Sequence, residues 1–91
     1  MVRINVEQKH IAKGLRGLTC YCPVALAIKE QVPGLKYAEV GMGLIKLQFQ
    51  NNDLKIRQMP QSVKYFVREF DGFTDCAGFV HPFSFDLEVN C

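Results

Sequence analysis

Basic residues and glycines are concentrated in the segment that precedes the first strongly apolar stretch of the chain. We predict a ligand-binding site there, made by Lys9, His10, Lys13, Gly14, Arg16, Gly17, Cys22 and Pro23. Unpaired amides at a helix N-terminus carry partial positive charge, and glycines let a ligand approach the backbone. Lysine and arginine side chains add mobile cations, and a histidine can donate to an anion or stack on a base. The segment therefore predicts binding of a small phosphate-bearing ligand, such as a nucleotide.

The same residues also fit a purely structural interpretation. Basic residues on a short exposed helix commonly form a solvated face, and Gly14 and Gly17 could serve only as helix caps. The segment contains neither a P-loop nor a dinucleotide-binding glycine pattern. The predicted site therefore rests on composition and not on a motif.

The cysteines allow a second kind of site. A thiol before a helix N-terminus, as at Cys22, has its thiolate stabilised by the helix dipole. Candidate zinc ligands are Cys20, Cys22, Cys76 and either His81 or His10. However, Cys-x-Cys is not the usual Cys-x-x-Cys spacing, and a buried thiol behaves as a small hydrophobic group. We therefore predict reduced thiols and neither a metal nor another cofactor.

Enzymatic activity is not predicted. The two histidines and the nearby aspartates do not supply a nucleophile, a base and an orienting group together. No residue is therefore predicted to be catalytic.

Composition and charge limit the class of protein. At 91 residues, with 48% hydrophobic and 22% charged residues, the chain can form one core but not two, which predicts a single domain over residues 1–91. Six basic and two acidic residues occur up to Lys36, and five basic and seven acidic residues follow it, for a net charge of +2. This excess suits a small anion but not a duplex backbone, so no duplex nucleic acid is predicted as a partner.

The hydropathy of the chain predicts no membrane partner. No apolar run approaches the about 20 residues that span a bilayer, and the N-terminus lacks the features of a signal peptide. We therefore expect a cytoplasmic protein.

Apolar periodicity predicts five strands and three helices that position these residues. Alternation predicts strands over residues 2–6, 37–40, 44–50, 54–57 and 83–89, and in the fourth strand it places Leu54 and Ile56 inward. Helices are predicted over residues 7–13, 23–31 and 60–72. The first helix is expected to end at Gly14 in the left-handed conformation. The third helix has an apolar stripe of Val63, Phe66, Val67 and Phe70.

The order β-α-α-β-β-β-α-β predicts an α+β fold. We expect a four- to five-stranded, mainly antiparallel sheet with helices packed on one face, as in split β-α-β sandwiches, and the last strand near its centre. Large apolar residues also occur outside these elements, at Leu15, Leu18, Phe73 and Phe79. They predict a homo-oligomer, or alternatively small satellite clusters under loops.

Three short motifs are spread over most of the chain. They are His10-Ile11-x-x-Gly14, Cys20-x-Cys22-Pro23-Val24-Ala25-Leu26-Ala27 and Pro82-Phe83-Ser84-Phe85-Asp86-Leu87. The pattern resembles small uncharacterised proteins of tailed-phage and bacterial genomes. The resemblance implies a viral accessory protein that counters host defence in the host cytoplasm. Two hypotheses follow from that setting: sequestration of an immune-signalling nucleotide, or inhibition of a host defence enzyme or nuclease through the apolar and acidic surface around residues 73–79.

Overall fold

The computed structural model describes residues 2–15, 20–41, 43–72 and 81–89, with only the backbone of residues 71 and 72. The elements are β1 (Val2–Val6), α1 (Gln8–Lys13), α2 (Pro23–Gln31), β2 (Leu35–Gly41), β3 (Leu44–Phe49), β4 (Leu54–Gln58), α3 (Gln61–Gly72) and β5 (Phe83–Leu87). This order is the predicted one, and the α+β class is confirmed. No described helix combines the length and the hydropathy needed to cross a membrane.

The described strands form two antiparallel sheets and not one. β1 pairs with β5, and β2, β3 and β4 pair in that order. The prediction of a single sheet of four or five strands is therefore wrong, and β5 is not a central strand. Next to the end of β5, Arg57 Nε of β4 donates to the carbonyl oxygen of Glu88 at 2.8 Å. The two sheets thus meet through a side chain at this point, without backbone pairing.

The core lies between the helices and the two sheets. Ile4 and Val6 of β1, Val24 and Ile28 of α2, Ile45 and Leu47 of β3 and Val63 of α3 are among its fully buried members. Each such side chain stabilises the fold by about 1.5–3 kcal/mol when it is fully buried. The predicted stripe on α3 is confirmed, because Val63, Phe66 and Phe70 are buried and Val67 packs against the core.

β4 has the opposite orientation to the predicted one. Its partner residues on β3 place Lys55 beside buried Leu47 and Arg57 beside buried Ile45, so the two basic residues lie on the core-facing side of the sheet. Leu54 and Ile56 point outward and are 54% and 48% exposed. Register decides the orientation of a strand, because a shift of one residue exchanges its two faces. The prediction that Leu54 and Ile56 face inward is therefore wrong.

Candidate functional site

His10, one of the predicted ligand-binding residues, is buried and links two helices. Only 4% of the residue is exposed. Its Nδ1 accepts a hydrogen bond from the backbone N–H of Glu7 at 2.9 Å, and its Nε2 lies 3.1 Å from Oε1 of Glu30 on α2. Because Nδ1 accepts, the proton of the neutral ring is on Nε2 and is donated to Glu30. Both ring nitrogens are thus occupied: Nδ1 bonds the N-cap of α1, and Nε2 joins α1 to α2.

Glu30 also pairs with Lys9, the first cation of the predicted site. Lys9 Nζ lies 3.3 Å from the same Oε1 atom, and both side chains are about half exposed. The hydrogen bond from His10, and then that from Lys9, hold the pKa of the Glu30 carboxyl below its ordinary value. An ionised carboxylate therefore lies inside the predicted anion site and compensates the charge of Lys9.

The N-terminus of α2 meets most of its hydrogen bonds within the chain. Cys22 is the N-cap, and its Sγ accepts from the N–H of Ala25 at 3.4 Å. Pro23 at the first helical position has no N–H, and the N–H of Leu26 donates to the carbonyl oxygen of Cys22. The N–H of Val24 remains, but Val24 is completely buried. This helix end offers an anion far fewer donors than a bare N-terminus.

Gly14 is required by a close approach and not by a left-handed turn. Its φ of −67° and ψ of 147° are extended, so the predicted left-handed conformation is wrong. A Cβ atom at this position would lie only 2.5 Å from Cδ of Pro23. The end of α1 therefore packs directly on the first residue of α2. Lys13 next to it is exposed and forms no ion pair with the described residues, whereas Arg16 and Gly17 lie outside them.

The other predicted surfaces are only partly described. Within residues 2–15, 20–41, 43–72 and 81–89, no three or more His, Cys, Asp or Glu side chains are grouped so that they could hold a metal ion. Leu15 is exposed, and Cys22 is buried as predicted for an apolar thiol. Leu18, Cys76, Cys91 and the surface at residues 73–79 lie outside the described residues.

A groove of about 480 Å³ between α3 and the start of β5 was not predicted from the sequence. We call it the aromatic groove; it is lined by Gln61, Ser62, Tyr65, Phe66, Glu69, His81, Pro82 and Phe83. The rings of Phe66 and Phe83 are 4.8 Å apart between centroids, and they form its floor. Further ring contacts join Phe66 to Phe70 at 6.2 Å and Phe83 to Phe85 at 5.8 Å. Since Phe70 and Phe85 are buried, the floor of the groove is part of the core.

The wall of the aromatic groove combines an exposed ring with polar groups. Tyr65 is 61% exposed, and Glu69 follows it by four residues, which places both on one face of α3. His81 lies on the opposite side, just before β5. The sequence holds one signal for this wall, because Tyr65 stands directly beside the apolar stripe. The approach of His81 to α3 has no sequence signal, since it depends on how β5 packs.

No match to the chain was found among protein-family models, curated proteins or solved structures.

Proposed function

We propose that this protein is a non-enzymatic binding protein that takes an apolar side chain of a partner protein into the aromatic groove. The observation that carries the proposal is a cleft of about 480 Å³ with a preformed aromatic floor and a largely exposed tyrosine in its wall. Ligand sites have volumes of about 300–1,000 Å³ and combine apolar walls with a few polar groups. The groove has both properties.

The chemistry of the wall favours a protein segment with a basic residue beside its apolar anchor. Tyrosine is enriched at the centres of protein interfaces, where it supplies a large contact area with few rotatable bonds. A lysine or arginine of the partner can stack on the Tyr65 ring and pair with the carboxylate of Glu69. The apolar anchor would then contact Phe66 and Phe83. This is the inhibitor class of the two sequence-based hypotheses, proposed here for the aromatic groove and not for the surface around residues 73–79, and a host defence enzyme or nuclease is the proposed partner.

A small phosphate-bearing ligand is a second candidate. It is supported by Lys13, which is exposed and pairs with no described carboxylate. It is less well supported than the groove, because Lys9, His10 and the Cys22 cap already have partners within the chain.

Selection from a displayed library of random peptides tests the first candidate. We expect wild-type protein to enrich peptides with an aromatic or aliphatic residue next to lysine or arginine. The variants Tyr65→Ser and Glu69→Lys should lose this enrichment, because one removes the exposed ring and the other reverses the charge of the wall. Lys13→Glu is the matched control and should select the same peptides as wild type. Enrichment that is absent, or that survives Tyr65→Ser, would contradict the proposed groove.

Calorimetric titration with nucleotides separates the second candidate. Binding of a nucleotide that disappears in Lys13→Glu and persists in Tyr65→Ser would favour the phosphate-bearing ligand. The absence of binding tighter than about 1 mM would remove that candidate.

A further inference from the structure

The two-stranded sheet has two outer edges, and side chains occupy backbone groups along one of them. On β1, the side-chain amide of Gln31 accepts from the N–H of Asn5 at 2.7 Å and donates to its carbonyl oxygen at 2.8 Å. Two residues further on, the N–H of Glu7 donates to Nδ1 of His10 at 2.9 Å. Side chains of α2 and α1 therefore take the place of a neighbouring strand along this edge.

These hydrogen bonds also determine which backbone groups of β5 point away from β1. In an antiparallel pair, the backbone groups of successive residues point alternately towards the partner strand and away from it. Those of Asn5 point away from β5, so those of Ile4 point towards β5 and meet those of Phe85. The N–H and carbonyl groups of Ser84 and Asp86 therefore lie on the other edge of β5.

We call the backbone groups of Ser84 and Asp86 the outer edge of β5. This edge pairs with no strand in the part of the chain that the structure describes. Asp86 is exposed and Ser84 is half-buried. Glu88, the next residue of the same orientation, has its carbonyl oxygen bonded to Arg57 Nε at 2.8 Å, which agrees with the derived orientation. Backbone groups of an exposed strand edge are a template for another extended chain.

The outer edge of β5 begins at the aromatic groove. Phe83 forms part of the floor of the groove, and Ser84 follows it directly. A strand added along this edge would direct alternate side chains to the two faces of the sheet. The side chain opposite Phe83 would lie on the face of the groove, and its chain neighbours would lie on the other face, beside Ser84 and the carboxylate of Asp86. An added strand can thus fill the groove and pair with β5 together.

We propose that the partner segment whose apolar anchor enters the aromatic groove binds in extended form, as a strand added to the outer edge of β5. This inference rests on the proposed function and specifies how the partner is held. Backbone hydrogen bonds to Ser84 and Asp86 supply affinity that does not depend on the sequence of the segment, and the groove selects the anchor.

The charge of β5 favours a basic partner segment over a second copy of β5. A two-fold axis along this edge would keep the faces of both sheets in place, so carboxylates of Asp86 and Glu88 from two copies would lie side by side on one face. Like charges on neighbouring strands destabilise a strand pair, whereas opposite charges stabilise it. The basic residue proposed beside the apolar anchor suits this acidic strand.

Amide hydrogen exchange of the full chain, followed by NMR, tests the edge in the protein alone. The N–H groups of Phe85 and Leu87 should exchange slowly because they bond to β1, and those of Ser84 and Asp86 should exchange at least about tenfold faster. Addition of a peptide selected through the groove should then slow the exchange of Ser84 and Asp86. Slow exchange of these two amides in the protein alone would overturn the proposal, because the edge would then be covered within the chain.

A proline substitution tests the hydrogen bonds to the peptide. Ser84→Pro removes the outward N–H together with the hydroxyl, whereas the matched control Ser84→Ala removes only the hydroxyl, which donates to Oδ1 of Asn5 at 2.7 Å. Ser84→Pro should raise the dissociation constant of the peptide about tenfold or more, and Ser84→Ala should leave it within about twofold of wild type. The exchange protection of Phe85 shows whether the pairing of β5 with β1 survives in each variant.

Methylation of single backbone nitrogens of the peptide gives a readout on the unaltered protein. Only every second amide of an added strand donates to its neighbour, so loss of binding should alternate along the peptide with a period of two residues. A scan without alternation, or equal affinity for folded Ser84→Pro and Ser84→Ala, would overturn the added strand. If Tyr65→Ser still abolished binding in that case, the groove itself would remain supported. A selection that enriches no peptide would contradict the groove and the added strand with it.

Discussion

Replacement of Gly14 by alanine is expected to destabilise the protein even though the backbone there suits alanine. Its φ and ψ are extended, which any residue adopts. A Cβ atom would lie 2.5 Å from Cδ, 2.6 Å from Cγ and 2.9 Å from N of Pro23. Ordinary contacts between carbon atoms are about 3.5–4.0 Å, so the nearest one would be about 1 Å too short. Because the Pro23 ring is rigid and fully buried, the backbone must shift to accept the methyl group.

Two effects of opposite sign determine the size of the change. Inserting a methyl group into a well-packed region costs about 1–3 kcal/mol. Alanine also restricts the unfolded chain relative to glycine, which stabilises a protein by about 0.4–1 kcal/mol where the backbone is compatible. The steric effect is the larger one here because both ring atoms and the nitrogen are too close. The free energy of unfolding should fall by about 1–2 kcal/mol, which lowers Tm by about 4–16 °C in a domain of this size.

Urea denaturation followed by circular dichroism measures this loss. In a Pro23→Ala background the two closest atoms are absent, so Gly14→Ala should cost at least about 1 kcal/mol less than in wild type. Gly34→Ala is the control: Gly34 has φ +76° and no atom within 4 Å of the added Cβ, so its penalty arises from the left-handed backbone and should be the same in both backgrounds. An unchanged or higher stability of Gly14→Ala, or a penalty that persists without the Pro23 ring, would refute the contact.

Three further predictions concern the helix link and β4. His10→Ala should lower the free energy of unfolding by about 1–3 kcal/mol, because the backbone N–H of Glu7 then loses its acceptor, Nδ1. Lys9→Ala is the control. Urea denaturation should show a loss of at most about 1 kcal/mol for this variant, because the pair of Lys9 with Glu30 is exposed. The pKa of Glu30 is lowered in the folded state, so the contribution of its carboxylate to stability is complete above the ordinary value of 4.5 and is lost as the pH falls through the lower folded value. Glu30→Gln should remove this part of the acid sensitivity when denaturation is measured across pH. A pH profile of stability equal to that of wild type would contradict this role of Glu30. Ile56→Thr should change the stability of the dilute protein by at most about 0.5 kcal/mol, because Ile56 is exposed. Ile45→Ala should cost about 2–5 kcal/mol in the same denaturation assay, because Ile45 is buried. Similar losses for both variants would contradict the orientation of β4.

The contrast between α3 and β4 shows what a local pattern can predict. On α3, the spacing of Val63, Phe66 and Phe70 defines one apolar face, and the core has to cover that face. In β4, apolar and basic residues also alternate, but alternation says only that the two faces differ. The pairing with β3 decides which face of β4 points inward. That pairing depends on the turn between β3 and β4 and on the hydrogen bond from Arg57 to Glu88. The sequence of the strand alone does not identify these partners.

The candidate sites were difficult to predict for a related reason. The aromatic groove depends on Phe83 contacting Phe66, and these residues are brought together only when β5 pairs with β1 and packs against α3. The burial of His10 depends on Glu30, which lies 20 residues away on another helix. A histidine in a polar segment looks available for a ligand until a carboxylate from a neighbouring element is placed beside it. The types of residue were visible in the sequence, whereas their partners were not.

The charge asymmetry that pointed to an anion site has a different meaning once the partners are known. Arg3 pairs at 3.1 Å with Asp86, which follows it by 83 residues and reaches it because β1 pairs with β5. Lys9 likewise pairs with Glu30 across the contact of α1 with α2. A count along the sequence compares each cation with the carboxylates near it in the chain, but charge is compensated between neighbours in space. Of the described cations in the predicted site, Lys13 therefore carries the argument for a phosphate-bearing ligand, and the substitution Lys13→Glu is the decisive test of it.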